Sequence, residues 1–202
     1  MANYLAIAAV ARTVLRLVEE QCPREEFSGT PTFALYASQD FAPAVTEGFS
    51  LMLWRVAVST VLRNQPPRRR ADGIRRRPSL PLDLSFMLTP WAGEPERQLR
   101  LLGWAMRFLE DNTVLPAAVL NQSLSRRERP AFEADEAVEI FCDPPGVAYY
   151  LGLWDKFKTR WQTSAIYSVR MVMIDSDITM REEALVQTRD LRFGQEETQP
   201  PR

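Results

Sequence analysis

Hydrophobic and polar residues repeat along the chain with a helical spacing in three segments. Residues 3–20 predict an amphipathic helix, with Asn3 as its cap and Pro23 as its stop. Ile7, Val10, Val14, Leu17 and Val18 form its apolar stripe. The same spacing predicts helices over residues 95–110 and 149–159. Their predicted buried stripes are Leu99, Leu102, Met106 and Leu109 in the first, and Leu151, Trp154 and Phe157 in the second.

Four other segments have the composition and alternation of strands, namely residues 48–63, 80–88, 137–142 and 162–174, and residues 32–38 are a candidate for a short one. The first of them has two apolar faces, which predicts a central, bent strand. One face carries Phe49, Leu51 and Leu53, and the opposite face carries Met52, Trp54, Val56 and Val58. The last strand places Ala165, Tyr167, Val169, Met171 and Met173 on one face.

This order of elements predicts an α+β fold, in which helices pack on one face of a mixed or antiparallel sheet and extended arms or loops project from it. We expect one domain over residues 1–178, with an exposed loop at 64–78. A polar arm over residues 179–202 is expected to be flexible or to become ordered on a partner. The polar tail after residue 180 and the residues near the N-terminus are candidate arms that could join subunits by adding a strand to an exposed sheet edge.

The charge balance excludes a protein that coats nucleic acid through bulk charge, because Lys plus Arg number 25 and Asp plus Glu number 26. The chain has no histidine, which removes Ser-His-Asp and Cys-His triads and His-ligated metals. The cations are almost all arginine, which favours fixed ion pairs across packed surfaces. No segment resembles a signal peptide or a membrane helix, so a cytoplasmic protein without direct membrane insertion is expected.

Two segments carry opposite charge. Residues 64–78 hold six arginines and one aspartate, and residues 130–143 hold five carboxylates and no cation. The loop could contact an acidic partner or nucleic acid, or it could be solvated, and no aromatic residue is interleaved to stack on bases. In a ring of identical subunits, the loop of one copy could meet the acidic segment of the next. The candidate partner-binding residues are Arg68, Arg69, Arg70, Arg75, Arg76, Arg77, Glu133, Asp135, Glu136 and Trp161.

A search for catalytic motifs yields no site. The glycines do not frame a phosphate-binding loop, and the pattern GxSxG is absent. The carboxylate pairs Asp175/Asp177 and Asp135/Glu136 are more typical of solvated turns than of a metal or glycosidase site. Cys22 and Cys142 are interpreted as structural thiols, and whether they pair is open. We expect no enzyme, no cofactor, no metal and no small-molecule substrate.

One stretch resembles a known family. Residues 80–93, LPLDLSFMLTPWAG, and 96–115, ERQLRLLGWAMRFLEDNTVL, are similar to the signature of the cap or tail-terminator proteins of contractile injection systems, which are phage-tail-like particles. Residues 51–64 and 151–174 resemble two further stretches of that family. The sequence departs from the pattern at Phe86, Thr113 and Trp161-Gln162, where the family usually has Tyr, Pro and Tyr-Arg.

The resemblance implies a structural role. Members of this family form a homohexameric ring that ends the inner tube and the sheath and anchors the distal sheath to the tube. The implied partners are therefore other copies of the chain, the sheath protein and the inner tube protein, without nucleic acid. A tail terminator of a contractile phage or bacteriocin is the nearest alternative, and a nucleic-acid-binding protein that uses the arginine loop is a further one. The particle would be assembled in the cytoplasm and then kept there, released or tethered to a membrane.

Overall fold

The computed structural model describes residues 2–41, 45–63, 66, 74–124, 129–157 and 161–180. Within them the chain forms helices, strands and two short 3-10 helices at Arg24–Glu26 and Ser38–Phe41. The α-helices are α1 (Ala6–Gln21), α2 (Pro95–Asp111), α3 (Ala117–Gln122) and α4 (Val147–Phe157). The strands are β1 (Thr32–Leu35), β2 (Gly48–Val58), β3 (Leu80–Trp91), β4 (Val114–Pro116), β5 (Ala137–Cys142) and β6 (Ala165–Ile174).

The strands form one mixed sheet in the order β1-β2-β3-β6-β5-β4. β1 is parallel to β2, and the other neighbouring pairs are antiparallel. The predicted α+β class with a mixed sheet is therefore confirmed. We call the end at which β2, β4 and β6 finish and β3 and β5 begin the arginine end, because the arginine-rich residues 64–78 join β2 to β3 there.

Side chains from the two faces of the sheet enter separate apolar cores. One core lies beneath α1, α2 and α3 and contains Leu84, Phe86 and Leu88 of β3. Met87 points to the opposite face, where it packs with α4 and Phe41. The prediction of helices on one face thus holds for α1, α2 and α3, whereas α4 covers part of the other face.

The second core explains why β1 is short. The amide of Tyr36 donates to the Leu51 carbonyl at 2.9 Å, and the chain then leaves the sheet. Phe41 stacks on Phe157 of α4 with ring centroids 4.5 Å apart, and Tyr36 meets Phe41 edge-on at 5.0 Å. These aromatic contacts draw the chain to the α4 side after Leu35. No described strand therefore pairs with the outer edge of β2 beyond Leu51.

A β-bulge in β2 changes which residues face the helices. The register with β3 shifts between Leu53 and Arg55, so Trp54 is the extra residue. One extra residue reverses the alternation beyond it, which returns Val56 and Val58 to the face of Leu53. The predicted placement of Val56 and Val58 on the opposite face is therefore wrong. Both are exposed, because the helices do not reach this part of β2.

A second bulge lies in β6, where the register with β3 shifts between Val169 and Val172. Met171 adopts a left-handed backbone with φ of 68°. Val172 is fully buried, whereas Met171 is half exposed and Met173 is only partly buried. The predicted continuation of the core face through Met171 and Met173 is wrong, because the bulge puts Val172 in their place.

Three residues of the predicted helix stripes are exposed instead of buried, namely Leu99 and Met106 of α2 and Leu151 of α4. α2 is rotated relative to the prediction, so that its buried residues are Leu101, Leu102, Ala105 and Leu109. In α4 they are Leu153, Trp154 and Phe157. Both helices therefore carry apolar side chains on two faces, and a single amphipathic stripe does not describe them.

The remaining elements differ from prediction mainly at their ends. α1 begins three residues after Asn3, whose side-chain oxygen accepts a hydrogen bond from the amide of Leu5 at 2.8 Å. α1 stops before Pro23, as predicted. β3 continues to Trp91, which donates from its indole nitrogen to the Ser50 hydroxyl at 2.9 Å. The predicted connector at 113–124 contains β4 and α3.

Gly48 is required where β1 meets β2, and we predict that Gly48→Ala detaches β1. Gly48 has φ of 128°, and a Cβ there would lie 1.9 Å from the carbonyl oxygen of Thr32. The backbone conformation alone costs on the order of 1–3 kcal/mol for a non-glycine residue. Chemical unfolding should show this loss, and hydrogen exchange should accelerate at the Tyr36 amide. Gly103→Ala, in a position with open space on α2, is the matched control and should not destabilise. Equal stability of both variants would contradict this account.

Met171 tests the second bulge. We predict that Met171→Gly is neutral or stabilises by up to about 1 kcal/mol, because the left-handed conformation costs a non-glycine residue roughly 1–2 kcal/mol. Met171→Val should destabilise, since a β-branched side chain tolerates this conformation least. Met173→Gly, two residues further along β6, should instead lose stability, as glycine does in ordinary strands. Thermal unfolding of the three variants measures the order, and a Met171→Gly variant less stable than Met173→Gly would be inconsistent with it.

Candidate assembly surfaces

The last part of the arginine loop is held in a two-stranded ribbon with the residues that follow β6. Arg76 pairs with Thr179 in an antiparallel bridge. The amide of Arg77 donates to the carbonyl of Ile178 at 3.0 Å, and the amide of Met180 donates to that of Arg75 at 2.8 Å. This part of the predicted exposed loop is therefore paired backbone that carries charge. Arg68, Arg69 and Arg70 lie outside the described residues.

Arg75 and Arg77 are exposed on the ribbon, and Arg76 is partly buried. A ribbon presents alternate side chains on opposite faces, so Arg75 and Arg77 share one face. Ile178 and Met180 are also exposed, which gives the ribbon an apolar component beside its positive charge. Such a surface suits an acidic protein partner better than free phosphate groups, because it offers fixed cations together with apolar contact area.

The acidic segment forms a tight turn before β5. The carboxylate of Glu136 accepts a hydrogen bond from the Glu133 amide at 2.8 Å, and the Glu136 amide donates back to the Glu133 carbonyl at 3.1 Å. The Glu136 carbonyl also accepts from the Ala117 amide at 2.8 Å. The side chain of Glu136 thus shapes the turn, while Glu133 and Asp135 are exposed. The remaining carboxylates, Glu139 and Asp143, follow on or just after β5.

The two charged segments lie at the same end of the sheet. A cleft of about 460 Å³ at the arginine end is lined by Glu133, Asp175 and Asp177, with Arg129 and the exposed Tyr4 beside them. The hydroxyl of Ser79, which follows the ribbon, donates to Asp175 at 2.8 Å. The structure therefore places the basic ribbon and the turn at Glu133 at the same end of the sheet.

Further exposed apolar side chains lie on α4 and just after it. Trp161, after α4, is 51% exposed. The next residue is fixed, since the side chain of Gln162 accepts a hydrogen bond from Gln98 at 2.8 Å. Val147, Tyr149 and Leu151 add exposed apolar area on α4. The other tryptophans are largely or fully buried.

The described residues offer little for chemistry. They contain no cluster of three or more side chains that could hold a metal ion. Cys22 and Cys142 are unpaired, and burial raises the pKa of Cys22 to about 12. The pKa of Cys142 is also raised, by burial and then by the carboxylates of Glu110 and Asp143. Both thiols are thus protonated at neutral pH and poor nucleophiles. In the part of the chain that the structure covers, each helix is too short or too polar to cross a bilayer.

Two features of these surfaces could not be found by sequence reasoning. The open edge of β2 depends on where β1 leaves the sheet, and the ribbon depends on the pairing of segments about a hundred residues apart. The apolar residues of 178–180 were the available signal for the ribbon, because Ile178 and Met180 interrupt an otherwise polar stretch.

Comparison with known proteins identifies the family. The model of the Pvc16 N-terminal domain matches residues 9–188, which is most of the chain. The chain belongs to the Pvc16 N-terminal domain family. This confirms the resemblance to cap and terminator proteins that the segments at 80–93 and 96–115 indicate. No curated protein matches the chain significantly.

Two solved structures share the fold of this Pvc16 N-terminal domain chain. One is the PVC sheath/tube terminator of an extracellular contractile injection system in its extended state, with 14% identity and a TM-score of 0.58 over 94% of this chain. The other is the tube-terminating cap of the anti-feeding prophage, with 15% identity and a TM-score of 0.56 over 95% of this chain. The matches cover 63% and 62% of those chains, so this chain spans less than two thirds of their length.

Proposed function

We propose that this chain is a structural cap of a contractile injection system. It forms a hexameric ring at the distal end of the particle, ends the inner tube and the sheath, and anchors the sheath to the tube. It acts by binding and performs no catalysis. The supporting observation is that almost the whole chain shares its fold with two terminators of such particles. Its partners are other copies of itself, the sheath protein and the tube protein, and it joins them in the cytoplasm.

The proposed contact residues lie on the two surfaces described above. At the arginine end, the basic loop, with Arg75 and Arg77 fixed on the ribbon, contacts the turn at Glu133 and Asp135 of the next copy. Opposite charges on rigid backbone favour one rotation between neighbours, as a closed ring requires. Trp161, which follows α4, provides an exposed aromatic anchor of the kind enriched at binding interfaces. Arg68, Arg69, Arg70, Arg76 and Glu136 complete the proposed set.

A terminator of a contractile phage or bacteriocin is the nearest alternative, since it would use the same fold and surfaces. The genes beside that of this chain separate the two, because a phage terminator is encoded with head and packaging proteins. Nucleic-acid binding is favoured only by the six arginines of residues 64–78. It would require affinity for DNA that falls steeply with salt concentration. We expect the isolated protein not to bind DNA at physiological salt.

Particle length tests the cap role directly. We predict that deletion of the gene leads to tubes and sheaths of uncontrolled length, or to sheaths that are already contracted, because nothing ends polymerisation or holds the extended sheath. Negative-stain electron microscopy of purified particles measures both. Expression of the intact chain from a plasmid should restore the parental length distribution. Particles of normal length and state in the deletion strain would refute the proposal.

Charge reversal tests the proposed contact between copies. We predict that Arg75→Glu with Arg77→Glu weakens self-association, because like charges then face Glu133 and Asp135 of the neighbour. Glu133→Arg with Asp135→Arg should weaken it too, and an equimolar mixture of the two variants should associate more strongly than either alone. Analytical ultracentrifugation at low and high salt measures the effect. Unchanged association in both variants would exclude this contact.

A further inference from the structure

The outer edge of β2 is an unpaired strand edge. β1 covers only Gly48 to Leu51, and the amide of Tyr36 makes the last bond to it. Over Met52–Val58, no strand among the described residues pairs with this edge, although the inner edge is bonded to β3. Along such an edge, the amide and carbonyl of one residue point to the paired strand, and those of the next residue point away from the sheet. The open run therefore offers a row of backbone donors and acceptors to an extended segment.

The side chains of this run favour an added strand. Val56 is 46% exposed and Val58 is 37% exposed, both on the helix side of the sheet. The run from 52 to 58 contains no proline and no lysine, two residues that commonly block an open edge, and the bulge at Trp54 leaves Arg55–Val58 as its regular part. Its one charged residue is Arg55. Pairing of this edge with the same edge of a second copy would bring two Arg55 side chains close together, which disfavours that arrangement.

The chain leaves the described fold at the same end of the sheet. Val58 is opposite Leu82, and Met180 lies in the ribbon that begins beyond the pair Leu80–Ile174. Residues 181–202 follow in the sequence, and Leu185–Thr188 is the stretch among them richest in strand-forming residues.

The distance across the sheet favours a neighbour's edge over the chain's own. β2 and β6 flank β3, so a strand added to the outer edge of β2 would lie three strand spacings, or roughly 14 Å, from β6. Residues 181–183 span at most about 10 Å when fully extended. The chain would also have to pass the turn after β2, where the amide of Ser59 donates to Pro81. A connection within one copy would therefore have to be almost fully extended, which favours a segment from a neighbouring copy.

We propose that residues 184–190 of a second copy of this chain add to the outer edge of β2 at Met52–Val58 as a further strand. This addition rests on the proposed ring, because the ring places copies side by side. It links each subunit to the next through backbone hydrogen bonds, with Val56 and Val58 covered by the incoming segment. One subunit supplies the segment and the next supplies the edge, which is the head-to-tail relation that closes a ring.

Disulfide trapping between separate chains tests this proposal. In a full-length Cys142→Ser background, which removes the exposed native thiol, one chain carries Ala57→Cys. The other carries a single cysteine at Leu185, Val186, Gln187 or Thr188. We expect mixed chains to form a covalent dimer under mild oxidation, seen by non-reducing electrophoresis and mass spectrometry. The yield should alternate along the four positions, because a strand turns every second side chain to the same face.

A second measurement blocks the edge. In the chain that carries Ala57→Cys, we expect Val56→Lys with Val58→Lys to lower the yield of dimer about tenfold or more, since lysine prevents edge pairing. Val61→Lys, at a position 88% exposed in the turn after β2, is the matched control and should leave the yield unchanged. Circular dichroism establishes that each variant is folded.

Three results would overturn the proposal. The first is no dimer from any mixture, and the second is equal yields at all four positions. The third comes from a chain that carries both cysteines, if its disulfide forms only within that chain. The cap role is tested separately by particle length. Alternating dimers together with particles unaffected by gene deletion would uphold the strand addition and refute the cap, and absent dimers together with unregulated particle length would do the reverse.

Discussion

The backbone pairing of β3 on both sides is the constraint on which the rest of the fold depends. β3 is bonded to β2 along one edge and to β6 along the other. Its buried amides and carbonyls must keep these partners, because an unpaired buried peptide group costs about as much as a lost hydrogen bond. The irregularities that allow the sheet to curl therefore occur in the neighbouring strands β2 and β6. Each of them carries one bulge, at Trp54 in β2 and near Met171 in β6.

Because β3 is regular, its alternation decides what lies on each side. Leu84, Phe86 and Leu88 enter the core beneath the first three helices, and Met87 enters the core beneath α4. After Leu35, the aromatic residues before β2 pack against the α4 side, and the chain does not continue as a strand of the sheet. The result is a sheet that is covered on both faces in its middle and open at the edge of β2.

Much of this fold could be predicted from periodicity, and the errors have identifiable causes. β5 was predicted with its observed ends, because a short run bounded by polar residues leaves little choice of register. Val56, Val58 and Met171 were misplaced because a bulge depends on pairing with another strand and leaves no mark in a single alternation. Leu99, Met106 and Leu151 have the spacing of buried residues, yet the chain by itself does not cover them. Their pattern is that of helices with a second apolar face, which a count of one stripe cannot distinguish.

The surfaces were predicted less completely. The charge of residues 64–78 was visible in the sequence, but the strand at Arg75–Arg77 follows from a partner segment a hundred residues away.

The ribbon has a mechanical consequence. It continues the β3–β6 ladder past Ile174, so tension applied to the chain beyond Met180 runs along the axis of β6. The ladder bonds lie across that axis, and a pull therefore loads many of them together in shear instead of opening them one after another. Ala2, which pairs with Ile174, adds a further strand of support at the same place. The segment that leaves the fold at Met180 is thus attached to β6, which is bonded to β3 along one edge and to β5 along the other, and it could carry force without unravelling its own domain.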